Sequence, residues 1–201
     1  MSSKPIIAVD IDEVLMPHFQ DLADYYNRLY GTQLTLADNH PKDTKNWGTD
    51  SFEVAVRRVQ KFFETDEFKN SQPFEEAKEA TRLLAEHYTL VVITSRDTLI
   101  EEVTRDWLNR HFAELFQDAH FTSLYNLEGK STSKAAVSQA IKADYLIDDG
   151  FDHILEASRI GVRGLLFGDY PWNGHQELPP GVVRVKDWDA VLAYFKIAKH
   201  R

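Results

Sequence analysis

The sequence predicts an α/β fold, a parallel sheet flanked by helices with a small helical insertion after the first strand. Two observations carry this. Short apolar runs alternate with helical periodicities along most of the chain, and the runs are nearly all apolar, as in strands buried on both faces. Such alternation implies βαβ units with right-handed crossovers. A third observation, a stretch from about 18 to 74 that breaks the alternation, places the insertion.

Strands are expected at Pro5 to Val9, rich in Ile and Val and ending on an acid, and at Thr89 to Thr94 (TLVVIT). Further strands are expected at Ala119 to Ser123, Tyr145 to Ile147 and Val162 to Phe167, with an edge strand at Val182 to Val185. Between them, Ala77, Ala80, Leu83, Leu84 and His87 recur at helical spacing. Leu99, Val103, Trp107, Leu108, Phe112 and Leu115 form a longer amphipathic stripe. Ala135 to Ile141 and Ile154 to Ile160 read as shorter helices, and Trp188 to Ile197 as a closing one. The interrupting stretch holds two helix-like pieces, Leu22 to Tyr30 and Phe52 to Phe63, joined by a polar loop with Asp38, His40, Pro41 and Trp47. The expected division is a core of residues 1–17 and 75–201 with a helical cap at 18–74.

Composition bounds the function. The chain has 201 residues, 43% apolar and 12% aromatic, which suits a globular protein with a generous core. It has no cysteine, which excludes a disulfide scaffold, a thiolate zinc site and a thiol nucleophile. The N-terminal apolar run is broken by Asp10, too soon for a signal peptide or a membrane span, so a cytoplasmic protein is expected. A formal net charge of −9 weighs against a nucleic-acid partner, whose backbone needs clustered Lys and Arg. A small phosphorylated ligand is compatible with it, because charge at one pocket can oppose the global sign. A homodimer is also compatible with the sequence, which does not determine it.

In parallel sheets ligands sit beyond the carboxyl ends of the strands, and four polar clusters fall there. Asp10 and Asp12 (VDIDEVL) follow the first strand; at i and i+2 of an extended chain both carboxylates face one side. One can act as nucleophile while the other, its pKa raised by its neighbour, carries a proton. The same pair would also serve a surface loop or a helix N-terminus. Thr94, Ser95 and Arg96 follow the second strand, where a hydroxyl and exposed backbone N–H groups make a phosphate cradle. Ser95 or Asp97 could equally be a helix cap. Lys130 and Lys134 (GKSTSKAAV) precede a helix, where either ammonium could sit over a phosphate and between carboxylates, or be solvated. Asp148 and Asp149 (YLIDDG) end the fourth run, and adjacent like charges at a crowded strand end call for a cation or a proton. Two such carboxylates with a carbonyl and a substrate phosphate suffice for Mg²⁺.

In this order, Asp10-Ile-Asp12, Thr94-Ser95-Arg96, Lys134 or Lys130, and Asp148-Asp149 resemble the four motifs of the haloacid dehalogenase (HAD) superfamily, over nearly the whole chain. The resemblance implies a Rossmann-like core, Mg²⁺ and an aspartyl-phosphate mechanism. It implies Asp10 as nucleophile and metal ligand, and Asp12 as acid and base that lends its backbone carbonyl to the metal. Thr94 and Ser95 would hold the phosphoryl oxygens, Lys134 would neutralise charge, Asp149 would be the acidic metal ligand and Asp148 would stand behind it. Because dehalogenases of the superfamily lack the second acid, Asp12 points to a phosphatase. ADYLIDDG (Ala143 to Gly150), LFGDYPWN (Leu166 to Asn173) and the early cap are similar to the 5′(3′)-deoxyribonucleotidases and their bacterial relatives. That resemblance puts Trp172 and Asn173 near the site and a nucleoside monophosphate in it; Phe19, Trp47 and Trp172 could stack on a base or be core or hinge residues.

The chain departs from the pattern twice. Glu13 stands where many members have Gly, adding a carboxylate beside the two acids that could contact substrate or point away, and Thr104 and Arg105 occupy the region where the nucleotidases carry a lysine. The alternatives are a phosphatase for another small phosphate such as a sugar phosphate, a low-turnover HAD-fold binding protein, and a phosphatase that processes nucleic-acid ends.

Overall fold

A computed structural model describes residues 4–39, 44–123, 131–174 and 177–199. Its centre is a six-stranded sheet of β1 (Ile6–Val9), β2 (Thr89–Thr94), β3 (Phe116–Phe121), β4 (Tyr145–Asp148), β5 (Arg163–Phe167) and β6 (Val182–Val185). The order is β3-β2-β1-β4-β5-β6, and every pair is parallel. From β1 the chain builds outwards through β2 and β3, then returns to the other side of β1 for β4, β5 and β6. The direction reverses beside β1, and such a switch point opens a crevice at the strand ends. Val9 stands opposite Val92 on β2 and Ile147 on β4, so Asp10 emerges level with the ends of both neighbours.

The apolar runs divide their side chains between two faces with period two. Ile7, Val9, Leu90, Val92, Ile147, Leu165 and Phe167 pack with helices α4 (Glu75–Ala85), α5 (Glu101–Phe112) and α8 (Trp188–Tyr194). Ala8, Ile93, Leu146 and Leu166 pack on the opposite side, with α6 (Lys134–Ile141) and α7 (Phe151–Arg159). The sheet is thus the middle of three layers, which is why its strands read as continuous apolar runs.

Between β1 and α4 lie α1 (His18–Tyr30), α2 (Phe52–Phe63) and the short α3 (Asp66–Lys69). They enclose a hydrophobic cluster of their own, with Phe19, Leu22, Tyr26, Leu34, Trp47, Phe62 and Phe68 at its centre. Partly buried Ile100 and Val103 join it from the segment after β2.

Several boundaries differ from expectation. Helix α1 starts at His18, four residues before Leu22, because its first turn is capped from a distance by the Glu13 carboxylate instead of a local Ser or Asp. Strand β3 begins at Phe116 and ends at Phe121; as an edge strand it exposes Gln117 and Asp118, which disguised it. His87 and Leu115 lie just past their helices, and the last helix stops at Tyr194. Leu99 belongs to a 3₁₀ turn (Thr98–Ile100) and is 81% exposed, so it is not part of the buried stripe of α5. Among the described residues no helix is long and apolar enough to cross a membrane.

Candidate functional site

Asp10 directly extends β1, its N–H donating to the Ile147 carbonyl of β4 at 3.0 Å. The chain then folds into a tight turn, with Leu15 N–H bonded to Ile11 O (2.7 Å) and Glu13 N–H to Met16 O (2.8 Å). Glu13 takes φ +60°, the left-handed conformation that glycine adopts without strain. It is held there because its carboxylate accepts from Phe19 N–H (2.6 Å) and its carbonyl from the Tyr170 hydroxyl (2.7 Å). Trp188 Nε1–H donates to Val14 O at 2.9 Å, fixing the same turn to the core.

At the ends of β1 and β4 the carboxylates of Asp10, Asp148 and Asp149 converge, each offering an oxygen within 4.8 Å of the others. Lys134, the first residue of α6, is buried between them, with Nζ 2.6 Å from Asp10 and 2.7 Å from Asp148. Ser133 caps the start of that helix by accepting from Ala136 N–H, which fixes where the lysine begins. Asp148 also accepts from Gly150 N–H (2.8 Å), and Asp149 accepts from Trp172 Nε1–H (2.7 Å).

Three acids face one lysine, and the titration of the group reflects this. Burial pushes the Asp10 carboxyl well above its usual range; Lys134 opposes, while Asp148 and Asp149 add to the rise. Burial and then Asp148 raise Asp149 to about 7. Burial alone would lower Lys134, but Asp10 and Asp148 outweigh it and keep the ammonium charged. An all-oxygen cluster carrying more negative charge than its lysine balances is the donor set of a hard divalent cation.

Asp12 is held differently. Arg96 Nη2 lies 2.7 Å from its Oδ1 and Arg96 Nε 3.1 Å from its Oδ2, a two-pronged ion pair. The same guanidinium donates to Thr104 Oγ1 (3.2 Å) and sits 5.0 Å from the centre of the Phe68 ring. Against the opposing effect of burial, Arg96 and His18 bring Asp12 down to about 2. The expectation that a neighbouring acid raises Asp12 is therefore corrected in this arrangement, because the cations beside it outweigh burial. His18 Nδ1 is 3.6 Å from Asp12, buried and without a hydrogen bond among the described residues.

A cavity of about 450 Å³ opens beside this pair. Asp12, Ser95 and Arg96 line its core side, and Leu22, Trp47, Val56, Val59, Gln60 and Phe63 its other side.

Compared with known families, residues 4–200 match the one described as 5′ nucleotidase, deoxy (Pyrimidine), cytosolic type C protein. The chain belongs to this family. Among curated relatives, the nucleotidase is 26% identical over 192 residues to the 5′(3′)-deoxyribonucleotidase of Bacillus subtilis (strain 168), covering 94% of this chain and 96% of that one. It is 21% identical over 188 residues to a nucleotidase of Clostridium acetobutylicum, covering 92% and 90%. Among solved structures it resembles a haloacid dehalogenase-like hydrolase of Streptococcus pneumoniae, with TM-score 0.69, 18% identity and coverage of 97% and 100%. It also resembles a HAD hydrolase of Bacillus subtilis solved bound to magnesium, with TM-score 0.65, 12% identity and coverage of 98% and 100%. The nucleotidase is a HAD-superfamily phosphatase, and the three-acid cluster suits a divalent metal.

The nucleotidase brings together Asp10, Lys134, Asp148 and Asp149 from three separate segments. Thr94 is fully buried, its Oγ1 accepting from Arg96 N–H at 3.2 Å; Ser95 lies on the cavity. Arg96, expected in the phosphate cradle, is on Asp12. Lys130 lies outside the described residues, as do His40 and Pro41. Trp47 walls the cavity, whereas Phe19 is packed in the cluster of α1, α2 and α3. Trp172 stacks on Tyr170 (4.7 Å, planes 2° apart) while holding Asp149. Asn173, fully buried, donates to the Asp149 and Phe167 carbonyls and ties the late loop to β5. Arg105 bonds Glu101 and Ala119 O, away from the cluster. Two residues beside the site were missed from sequence: His18, on Asp12, and His153, whose Nε2 is 3.5 Å from Ser95 Oγ. A lone His gives no signal until the fold supplies its neighbour.

Proposed function

We propose that this nucleotidase is a magnesium-dependent phosphomonoesterase that hydrolyses a nucleoside monophosphate through a phosphoryl-enzyme intermediate on Asp10. Residues 1–17 and 75–201 form the catalytic core in this reading, and 18–74 cap it. The observation that carries it is the convergence of Asp10, Asp148 and Asp149 around buried Lys134 at the switch point of a parallel sheet.

Asp10, Asp149 and the Asp12 carbonyl would hold Mg²⁺, with Asp148 steadied behind them by Lys134 and Gly150 N–H. Bound there, the ion neutralises negative charge as phosphorus is attacked. A carboxylate oxygen of Asp10 forms the new bond to phosphorus while the ester P–O bond breaks, and the bonding pair leaves with the departing oxygen. Asp12 gives that oxygen its proton, then draws one from the water that hydrolyses the acyl phosphate and returns Asp10. Ser95, the N–H groups after β2 and Lys134 stabilise the phosphoryl oxygens. While Arg96 holds it, Asp12 is anionic, the form needed in the second step. A phosphate dianion arriving beside it, attracting Arg96 and repelling the carboxylate, favours the protonated form needed in the first.

The cavity favours a nucleoside as leaving group. Leu22, Trp47, Val56, Val59 and Phe63 suit the flat faces of a base, and Asn39, Gln60, Glu64 and Asp97 supply polar groups beside them for its edge and its sugar.

The test is phosphate release from nucleoside 5′- and 3′-monophosphates and sugar phosphates, with Mg²⁺ and with chelator. Chelator-sensitive release that favours nucleotides is expected, and Asp10→Asn should abolish it in a protein that still folds. Preference for sugar phosphates would discard the substrate, and an unchanged rate in Asp10→Asn would discard the nucleophile.

A further inference from the structure

Helix α2 turns two faces inwards. Ala55 and Phe62 point into the cluster shared with α1 and α3, while Val56, Val59, Gln60 and Phe63, all half-buried, line the cavity opposite Asp12, Ser95 and Arg96. At the 3.6-residue period Val56 and Phe63 lie one turn to either side of Gln60. Within the helix this cavity-facing stripe is apolar except at Gln60, whose side-chain amide makes no hydrogen bond among the described residues; Glu64 lines the cavity just past the helix end.

We infer that Gln60 is a specificity-determining residue, its amide pairing with the hydrogen-bonding edge of the nucleobase once the base faces are covered by the apolar wall. This rests on the nucleoside monophosphate reading. A primary amide offers an N–H donor beside a carbonyl acceptor, and each nucleobase presents an adjacent donor and acceptor. By turning over, one amide suits any of them, so Gln60 selects for the presence of such an edge and not for one base. The selection works through desolvation. In the open cavity water satisfies the amide; a bound ring displaces that water, and a ring with no polar edge leaves the amide unpaired against Val56, Val59 and Phe63. Sites built around a buried hydrogen-bonding group reject the analogue that lacks its partner far better than they sense a missing methylene.

The experiment measures kcat/KM for wild type and Gln60→Leu on thymidine monophosphate, on its analogue carrying difluorotoluene, a non-hydrogen-bonding isostere of thymine, and on deoxyribose 5-phosphate. Thymine is chosen because the family description names pyrimidines. Leucine is a good helix former of similar length, so α2 should persist. Wild type is expected to favour thymidine monophosphate over the isostere by about tenfold or more, mainly through KM, and the ratio should fall to about one in Gln60→Leu. The same ratio in both proteins, with both nucleotides still preferred to deoxyribose 5-phosphate, would overturn the role of Gln60 and leave the nucleoside reading intact. Wild type that turns over deoxyribose 5-phosphate as well as either nucleotide would remove that reading and the inference with it.

Discussion

Replacing Lys134 by Met tests the electrostatics of the site most directly. The side chain is 1% exposed, and Nζ lies 2.6 Å from Asp10 and 2.7 Å from Asp148, with Asp149 completing the cluster. Methionine fills nearly the same volume, so the change removes charge and little packing. It leaves three carboxylates facing one another without a cation, and breaking a buried pair in this way costs about 3–5 kcal/mol. For a chain of this size that lowers Tm by roughly 10 °C. Proton uptake softens the loss, because Asp10 is raised and Asp149 titrates near about 7. The deficit should therefore be larger at about pH 8 than at about pH 6. Mg²⁺ at a hundredfold excess over Kd should stabilise the variant by about 2.7 kcal/mol, and because it should bind the variant more tightly than wild type the gap between them should narrow. Thermal melts in chelator and in Mg²⁺ at the two pH values read all of this. A variant that melts within about 2 °C of wild type in chelator at the higher pH would refute the reasoning, since a lysine between two carboxylates could not be so dispensable.

Two further outcomes are expected. With its pKa raised from 3.8 to about 7 in the fold, Asp149 favours the metal-free protein most below the unfolded value, and that contribution is lost as pH rises through about 7. Since Mg²⁺ must displace the proton, its affinity should climb over the same interval; calorimetric titrations showing a flat affinity from about pH 6 to 8 would contradict this. At Glu13, Gly removes the bond to Phe19 N–H, at about 0.5–2 kcal/mol, but relieves a left-handed backbone worth about 1 kcal/mol, so stability should change little. Glu13→Ala loses the bond without the relief and should cost about 1 kcal/mol more than Glu13→Gly in urea unfolding, and equal losses for Gly and Ala would show that the backbone strain is negligible.

The sequence by itself determined the layers and the strands. β1, β2, β4, β5 and β6 were legible within a residue or so, because burial on both faces demands runs such as TLVVIT, and the runs of β1, β2 and β4 end at polar clusters. β3 was blurred because an edge strand tolerates Gln117 and Asp118. The meeting of Asp10 with Asp148 and Asp149 was legible too, through the rule that parallel strands present their carboxyl ends together. Only the tertiary structure decided who pairs with whom. It put Arg96 on Asp12 instead of in the cradle, Lys134 between two acids, Glu13 on the first turn of α1 and Trp172 on Asp149. These contacts join residues 84 positions apart in Arg96 with Asp12, and still farther apart in Lys134 with Asp10. Periodicity reports which face a side chain takes on its own element, whereas partner choice depends on the strand order and on how α1, α2 and α3 seat over the strand ends. Neither leaves a local mark on the sequence.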